Sequence, residues 1–197
     1  MKLEPFPNKD GYRVWLSENE QEELLNYYDE EPRKKLALQL MLHGLRSDEV
    51  VRVTIDDFRK MDVEEEGWML TIKEGKTGYR ECPVSSDVVS DARMIKNLKD
   101  LKKGDALVDV SKRTVQRYVS RAADDLSESN PNWSHVTAHD CRRSWSTHLY
   151  WRLSGSRAKD IVMSFGGWSD VQTFNSNYLG AIPDSVAIDV MNEADIK

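Results

Sequence analysis

Residues 136–150, VTAHDCRRSWSTHLY, set His139 and Arg142 three apart with Arg143 directly behind. On a helix, residues three apart share a face. An imidazole and a guanidinium on one face suit a phosphate, because arginine offers a bidentate fork and histidine moves a proton near neutral pH. The alternative is a helix start where His139 caps or packs and the arginines point into water. Upstream, HGLRSDEVVRV (residues 43–53) places Arg46 after an apolar run and a glycine break, with Glu49 three residues on to orient a neighbour. An arginine there also serves simply to compensate a helix C-terminus. Lys76 sits in the turn KEGKTG, where an ammonium is either solvated or delivered into a groove. In FGGWSDVQTFNSNYLG (residues 165–180) two glycines let the backbone turn tightly before Trp168, whose indole donates one hydrogen bond, and Tyr178 follows ten residues later. Taken singly, both aromatics also read as core.

Periodicity supplies elements to hold these residues. Ser17 with Glu20 forms a capping-box pattern for a helix to about Tyr28, and Pro32 opens a second helix whose apolar positions 36, 38, 40, 41 and 42 predict burial before Gly44 ends it. SDEVVRVTIDDF reads as a short helix with an extended exit. WMLTIKEGKTGYRECPV alternates around a two-glycine turn and predicts a β-hairpin. Helices follow over SSDVVSDARMIKNLKDL and over Lys112 to Leu126, the latter with Val115, Val119, Ala122, Ala123 and Leu126 on its apolar side. Ser134 or Thr137 starts the helix that holds His139, which runs to about Leu153. RAKDIVMSFGG is a short helix broken by Gly166 and Gly167, and 169–179 and 183–193 close the chain. Residues 1–16 lack periodicity and read as a connector. The expected fold is mainly α with one small antiparallel sheet (α+β): a connector over 1–16, one domain over 17–180 and a helical tail over 181–197.

Composition narrows the function classes. The chain has 197 residues, 39% hydrophobic and 31% charged, which is a globular profile long enough for its own core. Neither an apolar run of roughly 20 residues nor a hydrophobic N-terminal signal is seen, so neither a membrane nor secretion is expected. Cys82 and Cys141 lack metal or disulfide spacing, and a reduced cytoplasm is the plain expectation. Net charge is −6, yet the charges are segregated: residues 1–31 hold nine acids against three bases, whereas 91–121 hold nine bases against four acids. Residues 142–159 hold five bases and no acid. An acidic chain can therefore present a basic face to phosphates.

In chain order, R-x-x-E (Arg46, Glu49), a hairpin lysine (Lys76), H-x-x-R (His139, Arg142), G-G-W (Trp168) and Tyr178 resemble the catalytic domain of the tyrosine recombinases, the phage integrase family. HGLRSDEV resembles the family's G-L-R-x-x-E box. HDCRRSWSTHL resembles its H-x-L-R-R/H-x-x-x-T box, with Cys141 in place of leucine. GGWSDV is similar to the Cre-like variant, in which tryptophan replaces the commoner second histidine. The resemblance spans roughly residues 17–180, and the step from Trp168 to Tyr178 is one residue longer than usual in the family. That leaves open whether Tyr178 serves its own site or a neighbour's.

The resemblance implies a site-specific DNA recombinase that breaks and rejoins DNA through a 3′-phosphotyrosine on Tyr178. Arg46 and Arg142 would hold the nonbridging oxygens, Lys76 would protonate the 5′ oxygen, and His139 would accept or orient the phenol proton. Trp168 would donate to the phosphate and pack the tyrosine segment, with Glu49 in support. No metal or other cofactor is needed. The implied partner is a double-stranded DNA attachment site, bound by a homo-oligomer in a tetrameric synapse, in the cytoplasm of a prokaryote or encoded by a mobile element. Lys112, Arg113, Arg117 and Arg121 would contact backbone phosphates, or form a merely solvated face. Arg143, off the shared face, is left to DNA phosphates or to packing. A first helix near residue 17 implies that the family's separate N-terminal core-binding domain is absent. The tail docks on a neighbouring protomer or on its own domain. Three rivals stand beside this reading: a non-catalytic DNA-binding member of the same fold, a DNA-relaxing enzyme of the type IB topoisomerase kind, and a helical protein-interaction domain whose motifs are coincidental.

Overall fold

A computed structural model describes residues 1–75, 78–153 and 155–195 of the chain. Helix α2 (Pro32–Leu42) is its axle. Pro32 suits the first helical turn, where a missing N–H costs nothing, and every residue from Leu36 to Leu42 is buried. A helix that is apolar all round must be covered all round. Four helices cover it: α1 (Glu18–Asn26), α4 (Ser86–Leu98), α5 (Lys112–Leu126) and α6 (Ala138–Arg152). The expected capping box is present on α1, where the Ser17 N–H donates to Glu20 at 2.8 Å. Thr137 caps α6, and residues 131–135 ahead of it form a separate 3-10 turn.

The remaining helices are short: α3 (Ser47–Val50), α7 (Ala158–Gly166), α8 (Val171–Asn177) and α9 (Asp184–Glu193). A satellite cluster of Val162, Met163, Phe174 and Tyr178 fastens α7 and α8 to the main core through Leu149 and Trp168. Among the described residues, no helix is long and apolar enough to cross a membrane.

Two expectations need correcting. Residues 1–16 are not an unstructured connector: β1 (Lys2–Pro5) and β2 (Tyr12–Trp15) pair antiparallel, Lys2 opposite Trp15. Strands this short carry too little alternation to be recognised, and the bonds that seat them come from far along the chain. The Val14 N–H donates to Asp140 Oδ1 at 3.0 Å and the Leu16 N–H to Ser144 Oγ at 2.7 Å, both on α6. The sheet count changes as well. The expected hairpin is β4 (Trp68–Gly75) with β5 (Gly78–Val84), but β3 (Phe58–Lys60) adds a third strand, in the order β3-β4-β5. On its inner face Leu70 lies opposite Cys82 and Ile72 opposite Arg80, all four buried. An arginine therefore occupies a core position of the sheet.

Gly44 ends α2 with φ at +90°, a conformation that favours glycine, and a Cβ there would lie 2.7 Å from the Trp145 ring. Gly44→Ala is expected to cost about 2–4 kcal/mol through combined backbone strain and overpacking. Denaturant titration reads this as a lowered midpoint with an unchanged slope, and an unmoved midpoint would contradict the packing described.

Candidate active site

The site starts where α2 stops. After Gly44 the chain reverses, Leu45 is buried, and Arg46 stands in extended backbone just before α3. Glu49, three residues on, folds back and accepts the Arg46 N–H at 2.7 Å and Arg46 Nη1 at 2.8 Å. The same carboxylate takes a bidentate fork from Arg80, with Nη1 to Oε1 at 2.9 Å and Nη2 to Oε2 at 2.8 Å. Burial alone would raise the pKa of Glu49. The Arg80 hydrogen bonds and charge, followed by those of Arg46, outweigh it and hold the carboxyl below its ordinary value. Glu49 is thus a buried, ionised carboxylate between two guanidiniums.

Helix α7 ends at this cluster. Gly167 adopts φ +67°, the Gly167 N–H donates to Ser164 O at 3.1 Å and the Trp168 N–H to Met163 O at 2.9 Å, a Schellman turn. A Cβ on Gly166 would fall 1.8 Å from the Trp168 ring, so the second glycine lets the indole fold back over the turn. The three carbonyls left over go to three different arginines. Arg80 Nε donates to Phe165 O at 2.9 Å, Arg142 Nη2 to Gly166 O, and Arg46 Nη2 to Gly167 O at 3.3 Å. Cations at a helix C-terminus also meet the negative end of its dipole. Gly44 O accepts from Arg142 Nη1 and, at 3.3 Å, from Arg80 Nη2, tying the turn after α2 to the same cluster.

Arg142 is 1% exposed, and its guanidinium carbon lies 4.1 Å over the Trp168 ring and 5.8 Å over that of Tyr178. Burial, then the charges of Arg46 and Arg80, push its pKa down to about 9. It remains a cation at neutral pH, in a cluster where, among the described residues, Glu49 is the one carboxylate set against three guanidiniums. Its Nε and the indole Nε1 of Trp168 are buried donors with no acceptor among the described residues. The Trp168 and Tyr178 rings lie 4.5 Å apart, and the His139 ring lies 5.1 Å from that of Tyr178. His139 keeps an exposed edge, but the crowding of its ring, followed by the charges of Arg143, Arg142 and Arg46, lowers its pKa to about 4. It is neutral at pH 7 and able to accept a proton.

Tyr178 follows α8 and is held by its main chain. Its carbonyl accepts from Thr147 Oγ1 at 2.8 Å, Ser146 Oγ at 3.2 Å and Trp15 Nε1 at 3.2 Å. Arg143 takes part in this fastening. It is buried, with Nε donating to Asn177 O at 2.7 Å and Nη1 to Asp140. Of the two places left open for it, DNA phosphates or packing, these bonds put it in the packing of the tyrosine segment.

Arg46, Glu49, His139, Arg142, Trp168 and Tyr178 thus meet in one place. Lys76 lies outside the described residues. The hairpin stem that flanks it reaches the cluster, since a Cβ on Gly75 would lie 3.2 Å from Glu49 Oε1 and 3.4 Å from Arg80 Nη1. Lys112, Arg113, Arg117 and Arg121 are exposed on α5. On the same helix, Gln116 donates to Ser47 Oγ at 3.3 Å, which brings α5 beside Arg46. Sequence reasoning missed Arg80, and one signal pointed to it: in β5 it shares the inward register of Cys82 and Val84.

The phage integrase family matches residues 14–182. No curated protein matches. Among solved structures, XerA recombinase superposes with a TM-score of 0.69 at 18% identity, covering 93% of this chain and 66% of that one. XerH recombinase bound to its difH substrate gives 0.64 at 19% identity, covering 90% and 53%. A lambda integrase dimer bound to a COC′ core site gives 0.55 at 19% identity, covering 86% and 49%. The chain spans between half and two thirds of the length of these proteins. At such identities the superpositions establish the fold, while the family match takes in every site residue from Arg46 to Tyr178. The chain belongs to the phage integrase family.

Proposed function

We propose that this chain carries the catalytic unit of a site-specific DNA recombinase, with Tyr178 as its nucleophile. The observation that carries the reading is the packing of Tyr178 against both a neutral His139 and the buried Arg142–Trp168 pair, beside donors that lack acceptors among the described residues. The phenol oxygen attacks phosphorus and its proton passes to His139. The bond from phosphorus to the 5′ oxygen breaks, and that oxygen leaves with a proton, which we assign to Lys76. The phosphotyrosine keeps the energy of the phosphoester, so the reversed steps rejoin DNA without a second substrate. Arg46 and Arg142 offset the charge that grows on the nonbridging oxygens, which is the largest contribution such a site makes. Because Tyr178 lies against its own chain's His139 and Trp168, we infer that cleavage occurs in cis.

XerH and lambda integrase are seen on duplex DNA, and we extend that partner class to this chain. The exposed cations of α5, the helix whose Gln116 reaches Ser47 next to Arg46, support it as the surface for backbone phosphates. We further propose a homo-oligomer on DNA, a tetrameric synapse assembled through α9, whose Ile188, Val190 and Met191 are exposed. Both cysteines are free and buried, which suits a reduced cytoplasm.

Three outcomes are expected. First, a pool of nicked suicide duplexes with randomised cores, incubated with the chain, yields a protease-sensitive covalent adduct, and Tyr178→Phe yields none. An adduct that survives in the phenylalanine variant would exclude Tyr178, and site-independent relaxation of supercoiled plasmid would move the assignment to a topoisomerase. Second, His139 must be neutral to accept the proton, so cleavage falls as pH drops through its pKa. The limb lies between about 4 and the ordinary value near 6.5, because a bound phosphate raises the pKa from its unliganded level. His139→Gln is expected to lose roughly 100-fold in rate at pH 7, with no acidic limb below it. Third, replacing Lys112, Arg113, Arg117 and Arg121 by alanine is expected to lower the slope of log affinity against log salt by about 3–4. An unchanged slope would remove α5 from the interface.

A further inference from the structure

Arg80 is absent from the mechanism above, yet it is the most completely engaged side chain in the cluster. It sits on the inward face of β5, 6% exposed, opposite Ile72. Each of its nitrogens is engaged by the protein: Nε by Phe165 O, Nη1 by Glu49 Oε1, and Nη2 by Glu49 Oε2 and Gly44 O. It therefore has nothing to offer a phosphate. What it supplies is charge, and the charge faces Glu49. Glu49 makes two ion pairs in the cluster, at 2.8 Å each, one to Arg46 and one to Arg80. Arg46 is the more open of those two, with 17% of its side chain exposed against 5% for Arg80.

We infer that Arg80 is a positioning residue for phosphoryl transfer: it balances the charge of Glu49 so that Arg46 keeps its own charge for the scissile phosphate. The inference rests on the recombinase reading. Were Arg80 neutral, the buried carboxylate would have Arg46 as its single ion-pair partner. That pair would be locked and net neutral where a phosphate needs a cation. With Arg80 in place, the bidentate fork fixes the plane of Glu49 and supplies one whole charge. Glu49 can then orient Arg46 through the Oε1 contact without cancelling it. The root of the hairpin serves the same end, since Gly75 lies against both Glu49 and Arg80 and leaves no room for a side chain between them.

The test uses the whole chain and the duplex captured covalently by the wild-type protein, made in two forms. One carries the ordinary scissile phosphodiester. The other carries a methylphosphonate there, in which a methyl group replaces one nonbridging oxygen and removes its charge. Arg80→Met is expected to slow single-turnover cleavage of the phosphodiester about 100-fold at saturating DNA, with duplex affinity within about threefold of wild type. On the methylphosphonate the defect should shrink to within about fivefold, because there is less charge for Arg46 to meet. Adding Glu49→Gln to Arg80→Met removes the unbalanced carboxylate, and should recover about tenfold of the lost rate. Arg80→Lys, which keeps the charge but not the fork, should fall between, and carries the comparison if the methionine variant does not fold. Equal losses on both duplexes, with no recovery in the double variant, would make Arg80 a structural residue only and overturn the inference. An absence of adduct from the wild-type chain would instead overturn the recombinase reading itself.

Discussion

The end of α7 presents Phe165 O, Gly166 O and Gly167 O in succession, and each accepts from a different arginine carried by a different part of the fold. Arg80 comes from the sheet, Arg142 from α6 and Arg46 from the turn after α2. A helix must leave its last carbonyls without intrahelical partners, and buried carbonyls must be satisfied. Here that obligation is met by the same guanidiniums that surround the site. The carbonyls fix where the arginines point, and the arginines fix where the turn lies. The turn in turn sets Trp168 against Tyr178. Moving any one element would leave a buried carbonyl unpaired on one side or a buried cation on the other, which is why the cluster acts as a unit.

The charge balance of that unit suits an anion. Three guanidiniums share one carboxylate, and the most deeply buried of the three has its pKa lowered by burial and by the other two. Such an arrangement costs stability in the empty protein, because like charges are held together away from water. A phosphate relieves it, and a phosphoryl transition state with more charge on its equatorial oxygens relieves it further. The same surplus of positive charge helps keep His139 neutral. One electrostatic condition thus produces both an anion-seeking floor and a base that is ready at neutral pH.

Much of this was legible in the sequence, for identifiable reasons. α2, α5 and α6 announce themselves by long apolar periodicity, by proline at an N-terminus or by a capping residue, all of them local signals. Gly44, Gly166 and Gly167 mark the turns because a positive φ or a crowded Cβ position favours glycine there. Arg46, Glu49, His139, Arg142, Trp168 and Tyr178 were visible as spaced types. What stayed hidden was non-local. β1 and β2 are seated by Asp140 and Ser144, more than a hundred residues away in sequence. Arg143 was ambiguous because its partner, Asn177 O, is a backbone atom with no residue-type signature. Arg80 was overlooked because alternation was used to find the hairpin and not to ask which residues it turned inward.

Tyr178, ten residues after Trp168, is placed by bonds to its main chain. Three hydrogen bonds reach its carbonyl, from Thr147, Ser146 and Trp15, and Gly180 N–H returns to Thr147 Oγ1 at 2.9 Å. These anchors grip main chain just after the ring and Arg143 holds Asn177 O just before it, so Tyr178 is positioned by α6 and β2. Asp170 caps the entry to α8, where it accepts from the Thr173 N–H. The ring still reaches Trp168 at 4.5 Å. Gripping the backbone also leaves the phenol oxygen outside the anchoring network, as the role proposed for Tyr178 requires. The hairpin over residues 1–16 then has a reason to be part of this unit: through Trp15 it supplies one of the three bonds to the Tyr178 carbonyl.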